Sequence, residues 1–457
     1  MPNWRTLRSR VKGYADPSRI LRLSPAAWYR ADTGVTGTLN ASNWADQSGN
    51  GRDLVQGTAG NQPIILPYSG TPYAWLPAVN GNAFATPDAA ANDITGDIAI
   101  VVLVALDDYT PSSQGAFLSK FSTSNDRAYE FRLNTDGTVS LGTTPGSDAA
   151  IVTATSSVVT GITDGALKYL AASRDVDDGA GNNVTKFWLS DDGSSWTQLG
   201  TTQTIAGTTS IANSADSVFV GGRNAASTLL GPGKCYRAQL YNGIPPMLGG
   251  SGSASPVLDF NPADFTETST NGATAVSSTT GETWTLNSTG AKPAQIVKSA
   301  SLMGDGSNHK MATAAFTLNQ PFTEYIVAKQ ITWTAGDYLT SGVGGAAGIT
   351  QRTGTPKLGL NAGSGVADNT GAALGSKVIL TAVFNGASSS LAVNNGTPTT
   401  GDPGAGNPGG LSLFSDDAGA NYGNAQVYER IVFSAAHDAA ERSVVRNYLA
   451  ARHQIAL

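Results

Sequence analysis

Ile98-Ala-Ile-Val-Val-Leu-Val-Ala-Leu106 is a run of nine apolar residues with no interior charge, which reads as a central strand covered on both faces. Shorter runs of the same texture surround it: Tyr129-Glu-Phe-Arg-Leu133, Lys168-Tyr-Leu-Ala-Ala172, Lys186-Phe-Trp-Leu189 and Ser217-Val-Phe-Val220. Turn dipeptides punctuate the chain. Asn-Gly begins at Asn50, Asn80, Asn242, Asn271, Asn385 and Asn395, and Asp-Gly at Asp136, Asp164, Asp178, Asp192 and Asp305. Such pairs accept positive φ and suit two-residue hairpin turns. Short strands between regular turn signals describe a large antiparallel sandwich.

Only 14% of the 457 side chains are charged, against about 25% in an ordinary domain, while 40% are hydrophobic, enough to build real cores. The net charge of -6 removes the electrostatic footprint of a nucleic-acid binder. No apolar run approaches the ~18 residues of a membrane span, so no membrane insertion is expected. The leading segment from Met1 to Lys12 is polar and basic and lacks the apolar stretch of a secretory signal. Cys235 is the single cysteine, which excludes an internal disulfide and a cysteine zinc cluster.

Charge is unevenly placed. Arg5, Arg8, Arg10, Lys12, Arg19, Arg22 and Arg30 stand in the opening stretch against one acid, Asp16. Trp4, Leu7 and Val11 have helical spacing, and Asp16-Pro17 reads as an N-cap followed by a proline at the first helical position. Residues 1–23 are thus either a helical arm packed on their own domain or a basic arm that docks on a larger assembly, the second being the expectation. The stretch Pro245-Pro-Met-Leu-Gly-Gly-Ser-Gly-Ser-Ala-Ser-Pro256 has no charge and little to bury, and reads as a linker.

Beyond this linker the pattern restarts. Phe322–Ala328 answers the strand at Ile98, Lys377–Phe384 answers Lys168–Ala172, and Gln426–Phe433 answers Cys235–Tyr241. Three landmarks in one order indicate duplication. The expected domains are therefore 24–244 and 257–457, joined by 245–256. The chain ends as a helix that Ser434 can cap, with an Asp438/Arg442 pair and an apolar stripe of Val444, Val445, Tyr448 and Leu449.

Trp28-Tyr-Arg-Ala-Asp32, Trp44-Ala-Asp-Gln-Ser-Gly-Asn-Gly-Arg-Asp53 and Pro77-Ala-Val-Asn-Gly81 resemble the opening of a concanavalin A-like (laminin G-type) lectin/glucanase jelly roll, of the kind carried by bacteriophage virion proteins. Leu258-Asp-Phe-Asn-Pro-Ala-Asp264, Thr280-Gly-Glu-Thr-Trp284, Met303-Gly-Asp-Gly306 and Glu441–Leu449 are similar to the same family. The resemblance implies an all-β chain: two tandem antiparallel jelly-roll sandwiches with a short helical N-terminal arm and a C-terminal helix.

The glucanase branch of that family needs Glu-x-Asp-x-(x)-Glu on one strand, because alternate residues share a cleft. The six glutamates, Glu130, Glu267, Glu282, Glu324, Glu429 and Glu441, are too scattered to build it. A Gly-x-Ser-x-Gly elbow and phosphate-binding glycine loops are also missing. Among the three histidines, His437 beside Asp438 and Glu441 suggests a ligand trio that a solvated helix face explains as well. Asp46, Ser48, Asn50 and Asp53 set oxygens at alternating positions around a glycine, as a calcium loop does, but Gly57 stands where a closing glutamate belongs. An Asx-turn loop reads the same residues without metal. Ser190-Asp-Asp-Gly-Ser-Ser-Trp196 reads as a structural Asp-box hairpin. Aromatic plates for sugar stacking are available at Tyr68, Tyr73 and Trp75 and at Trp333 with Tyr338.

These readings converge on a non-enzymatic bacteriophage virion protein without cofactor, associated with the tail or tail tip and assembled in the host cytoplasm. Arg5, Arg8, Arg10, Lys12, Arg19 and Arg22 would dock it on other virion proteins as a homo-oligomer, and the lectin-like domains would attach to host surface glycans. A capsid decoration or head-fibre protein without ligand and a polysaccharide-degrading enzyme are the alternatives.

Overall fold

The computed structural model describes residues 15–121, 126–145, 150–208, 210–223, 230 and 233–457. The chain is nearly all β, with antiparallel pairing throughout its sheets and one long helix at its end. No helix among the described residues is long and apolar enough to cross a membrane.

Two units divide the chain, and their boundaries differ from those the sequence suggested. An inserted unit comprises Gly70–Lys298, and a split unit comprises Met1–Ser69 with Ser299–Leu457. The expected domains 24–244 and 257–457 are therefore corrected, and the stretch 245–256 lies inside the inserted unit. Its prolines and glycines serve a tight turn: Leu248 is buried against Ala99, Val101, Ala171 and Tyr241. Gly250 approaches the chain so closely that a Cβ there would stand 2.1 Å from the Ile244 carbonyl oxygen. Composition signals a break in regular structure but not whether the break is anchored.

Each unit is a sandwich of two sheets. In the inserted unit one sheet runs in the order Thr197–Gln198, Asn182–Ser190, Lys168–Asp175, Ile98–Leu106, Gly233–Asn242, Tyr73–Leu76 and Gln295–Val297, with Leu258–Phe260 also paired to Gly233–Asn242. In the split unit the matching order is Thr399–Gly401, Ser389–Val393, Lys377–Phe384, Phe322–Gln330, Ala425–Phe433, Ser301–Met303 and Ile64–Leu66, with Ala27–Arg30 paired to Ala425–Phe433. The second sheets match as well, from Val152–Thr155 to Thr274–Val276 in one unit and from Gly365–Asn369 to Val35–Thr36 in the other. Even the irregularities agree. The long pairing of each unit skips one residue, Tyr236 in one and Tyr428 in the other.

The two sandwiches thus share a strand order, but the opening strand of each half pairs in the other. Ala27–Arg30 pairs with Ala425–Phe433 rather than with Gly233–Asn242, and Leu258–Phe260 completes the earlier half instead. The nine-residue run behaves as its pattern requires. Ile98, Ile100, Val102, Val104 and Leu106 enter the core between the sheets, and Ala99 and Val101 face outward against Leu248.

The helix Ala439–His453 packs Val445, Tyr448 and Leu449 on the outer face of the split unit, against Tyr325, Val327, Ile379, Ile431 and Phe433, while Val444 stays exposed. Its cap is Asp438, not Ser434: the carboxylate accepts from the amides of Ala440 and Glu441, and Glu441 accepts in return from the amide of Asp438. His437 is buried and lies 3.0 Å from the Tyr325 hydroxyl through Nδ1, so a solvated helix face does not account for it. Residues 18–21 form a short helix whose Ile20 is fully buried in the same cluster. The described end of the expected docking arm therefore belongs to the split unit's core.

Candidate functional site

The same fold position is occupied differently in the two units. After Ala425–Phe433 the split unit lays a fifteen-residue helix across its outer face. After Gly233–Asn242 the inserted unit has only the turn Pro246–Leu248 before the chain re-enters the sheet at Leu258. Leu248 reaches part of the outer face, and beside it remains a cleft of about 300 Å³. The cleft exists because a short strap covers a sheet that needs a helix.

Its floor follows from strand alternation. Ser173 and Asp175 on one strand face Lys186 and Val184 on the next, and Ala171 faces Trp188. Asp97, from the residue before the central strand, joins them, and Ile244, Leu248 and the backbone of 249–252 form the wall. Trp188 donates its indole N–H to Ser173 Oγ at 3.3 Å. Trp188, Tyr169 and Trp196 remain half-buried around Met247 and Leu248. Tyr169 and Trp196 meet edge to face at 6.1 Å beneath the Asp-box hairpin, whose Asp192 accepts from the amides of Ser194 and Ser195 as its sequence implied.

The cleft is polar and predominantly acidic. Asp97 accepts from the Val176 amide at 3.0 Å, and Asp175 from that of Asp177 at 3.0 Å. Burial above all holds the Asp97 carboxyl above the usual carboxylate range, and the charge of the neighbouring Asp175 adds to this. Lys186 contributes an ammonium to the lining. Such a wall offers acceptors, an ammonium, a buried hydroxyl and ring edges to a hydroxyl-rich ligand.

Other buried charges are committed to structure. Lys120 is held by Asp88, Asn92 and Asp93, Glu130 by Arg223, Asp259 by Arg237, and Arg430 by Glu324. Burial pushes the Cys235 thiol up to about 12, which leaves it unreactive.

The residues chosen from sequence are placed elsewhere. Tyr73 and Trp75 are buried strand residues of the inserted unit, with Tyr73 packed on Tyr236 at 5.4 Å, whereas Tyr68 belongs to the split unit. These three form no exposed plate. Tyr338 is buried and its hydroxyl accepts from Asn361 at 2.6 Å, while the half-buried Trp333 donates to the Arg352 carbonyl at 2.9 Å. Aromatic residues in Gly/Pro-rich stretches read as loop, but short strands begin inside those stretches and draw the rings inward. Arg5, Arg8, Arg10 and Lys12 lie outside the described residues; Arg19 is half-buried and Arg22 exposed on the short helix. The signal for the cleft was the alternation Ala171-x-Ser173-x-Asp175 facing Val184-x-Lys186-x-Trp188, which becomes visible only once the two strands are registered.

In the loop 46–53, Asp46 accepts from the amides of Trp28 and Ser48 through Oδ1 and from Ser48 Oγ and the Arg52 amide through Oδ2. Asp53 accepts from the Asp46 amide, and Asn50 donates to the carbonyls of Pro25 and Ala26. A cation would have to displace these donors, and among the described residues no three His, Cys, Asp or Glu side chains are grouped to hold a metal. Replacing Asp46 with Ala is expected to cost about 2 kcal/mol by orphaning these donors. That corresponds to a loss of about 5 °C in melting temperature by calorimetry, and a calcium chelator is expected to cause no loss.

No protein-family model matches the chain, and no curated protein matches it. Solved structures do. The LG4–5 domains of mouse laminin α1 match at 11% identity and a TM-score of 0.28, covering 81% of this chain and 92% of theirs. A putative carbohydrate-binding protein from Bacteroides ovatus matches at 12% identity and a TM-score of 0.35, covering 51% of this chain and 61% of its own. The CBM40 domain of a Ruminococcus gnavus sialidase, bound to α2,3-sialyllactose, matches at 13% identity and a TM-score of 0.27, covering 38% and 94%. The chain itself is built of antiparallel two-sheet sandwiches.

Proposed function

We propose that the chain is a non-enzymatic, lectin-like protein that binds a saccharide in the cleft of its inserted unit. The observation that carries this reading is the cleft itself, where Asp97, Ser173, Asp175 and Lys186 converge beside Trp188 under a short strap. Its two carboxyl groups, Asp97 and Asp175, both line the cleft. It takes no metal. The resemblance of its opening segments to phage jelly rolls supports a place on a bacteriophage particle, at the tail or tail tip, with the sandwiches turned to host glycans and residues 1–14 engaging other virion proteins.

Titration of the full chain with bacterial surface oligosaccharides should give saturable binding that Ser173→Ala with Lys186→Ala weakens at least tenfold while the melting temperature holds. Incubation with the same polysaccharides should release no reducing ends. Absence of binding to every oligosaccharide tested would sink the lectin reading. For the virion role, a chain lacking 1–14 should stay folded and fail to join particles; deletion through residue 23 is a poor test, because it removes the buried Ile20.

A further inference from the structure

We propose that the cleft selects a sugar bearing a free amino group, recognising the vicinal ammonium and hydroxyl of a 2-amino-2-deoxyhexose. The inference rests on the glycan-binding reading and assigns its ligand class.

Three observations carry it. Asp97 and Asp175 meet side by side in a partly buried wall, where two negative charges repel unless a cation or a shared proton lies between them. Asp177 adds a third negative charge nearby, and among the described residues Lys186 is the one basic residue lining the cleft. An ammonium between the two carboxyls would offset their repulsion and satisfy both with charge-assisted hydrogen bonds. Independently of the acids, Ser173 is 2% exposed and lines the cleft. It accepts from Trp188, and its own hydroxyl proton has no acceptor among the described residues. A serine hydroxyl lining the cleft can donate as well as accept, and the hydroxyl next to the amino group of a hexosamine supplies an acceptor for it. Half-buried Trp188 leaves an apolar edge for the ring's C–H face. Uronates and sialic acids would bring a carboxylate against Asp97 and Asp175, and N-acetylation removes the charge the pair needs.

The test is titration calorimetry of the full chain with three tetrasaccharides: β-1,4-linked glucosamine, its N-acetylated form and a neutral glucose tetramer. The glucosamine tetramer should bind at least tenfold tighter than the other two. Asp97→Asn with Asp175→Asn keeps the shape and should abolish that preference. If the N-acetylated or neutral tetramer binds equally well, or if the double variant keeps the preference, the amino-sugar assignment is overturned while the lectin reading stands. If none of these and no bacterial oligosaccharide binds, the lectin reading itself fails.

Discussion

A fragment of residues 70–298 should fold alone with one cooperative melting transition, whereas residues 24–244, the domain suggested by sequence order, should not. The reason is topological. Residues 24–244 lack Leu258–Phe260, Thr283–Asn287 and Gln295–Val297, which supply Leu258, Phe260, Phe265, Trp284, Leu286 and Ile296 with their neighbours to the core. Each of these side chains is at most 3% exposed. At about 1.5–3 kcal/mol per large buried side chain, their removal costs on the order of 10 kcal/mol, the size of a domain's entire stability. The same fragment would carry Ala27–Arg30 without the strand that pairs with it.

Residues 70–298, by contrast, begin and end in adjacent strands, with Tyr73 opposite Val297. At the insertion point of the split unit, Leu66 stands opposite Ser301, so joining 69 to 299 should close a short hairpin loop and leave that unit folded too. Circular dichroism melts of the three proteins decide the matter. A cooperative transition from 24–244 together with none from 70–298 would overturn the exchange of openings.

Glu429→Ala should be the most damaging single substitution in the split unit. The carboxylate is fully buried beneath the terminal helix, where it accepts from Trp28 Nε1 at 2.7 Å and from the Tyr448 hydroxyl at 3.0 Å. His453 Nε2 lies 2.8 Å away and Arg452 Nε 2.9 Å away. One residue thus fastens the opening strand and the last turns of the helix to the sheet. Removing one partner from a buried charged network costs about 3–5 kcal/mol, or about 10 °C in the melting temperature of a unit this size. Glu429→Gln keeps an acceptor for Trp28 and should lose markedly less. Calorimetry should assign the loss to one of two transitions, and an unchanged thermogram would mean that the helix is held by its apolar stripe alone.

Much of the architecture was legible because it depends on local pattern. The uncharged run from Ile98 to Leu106 needs cover on both faces wherever it lies, and the echoes at Phe322, Lys377 and Gln426 each correspond strand for strand to their earlier counterparts. The cap of the terminal helix was misread by four residues because both Ser434 and Asp438 satisfy the local rule, and only Asp438 has Glu441 three positions on to reciprocate. The site was less legible. Its carboxylates come from Asp97 and Asp175, 78 positions apart by their numbers, and neither stands in a recognisable motif.

What the sequence determined by itself was the class of object: two copies of an antiparallel, disulfide-free sandwich, turn-rich and with a helix at the end, since period-two alternation and turn chemistry act over a few residues. Which copy's opening strand completes which sandwich was decided only in three dimensions. Ala27–Arg30 and Leu258–Phe260 offer similar edges, and no local rule distinguishes one long acceptor strand from its duplicate. The cleft is also a tertiary outcome, because it depends on how much outer sheet the strap at Leu248 can cover, and coverage is a matter of area rather than residue type.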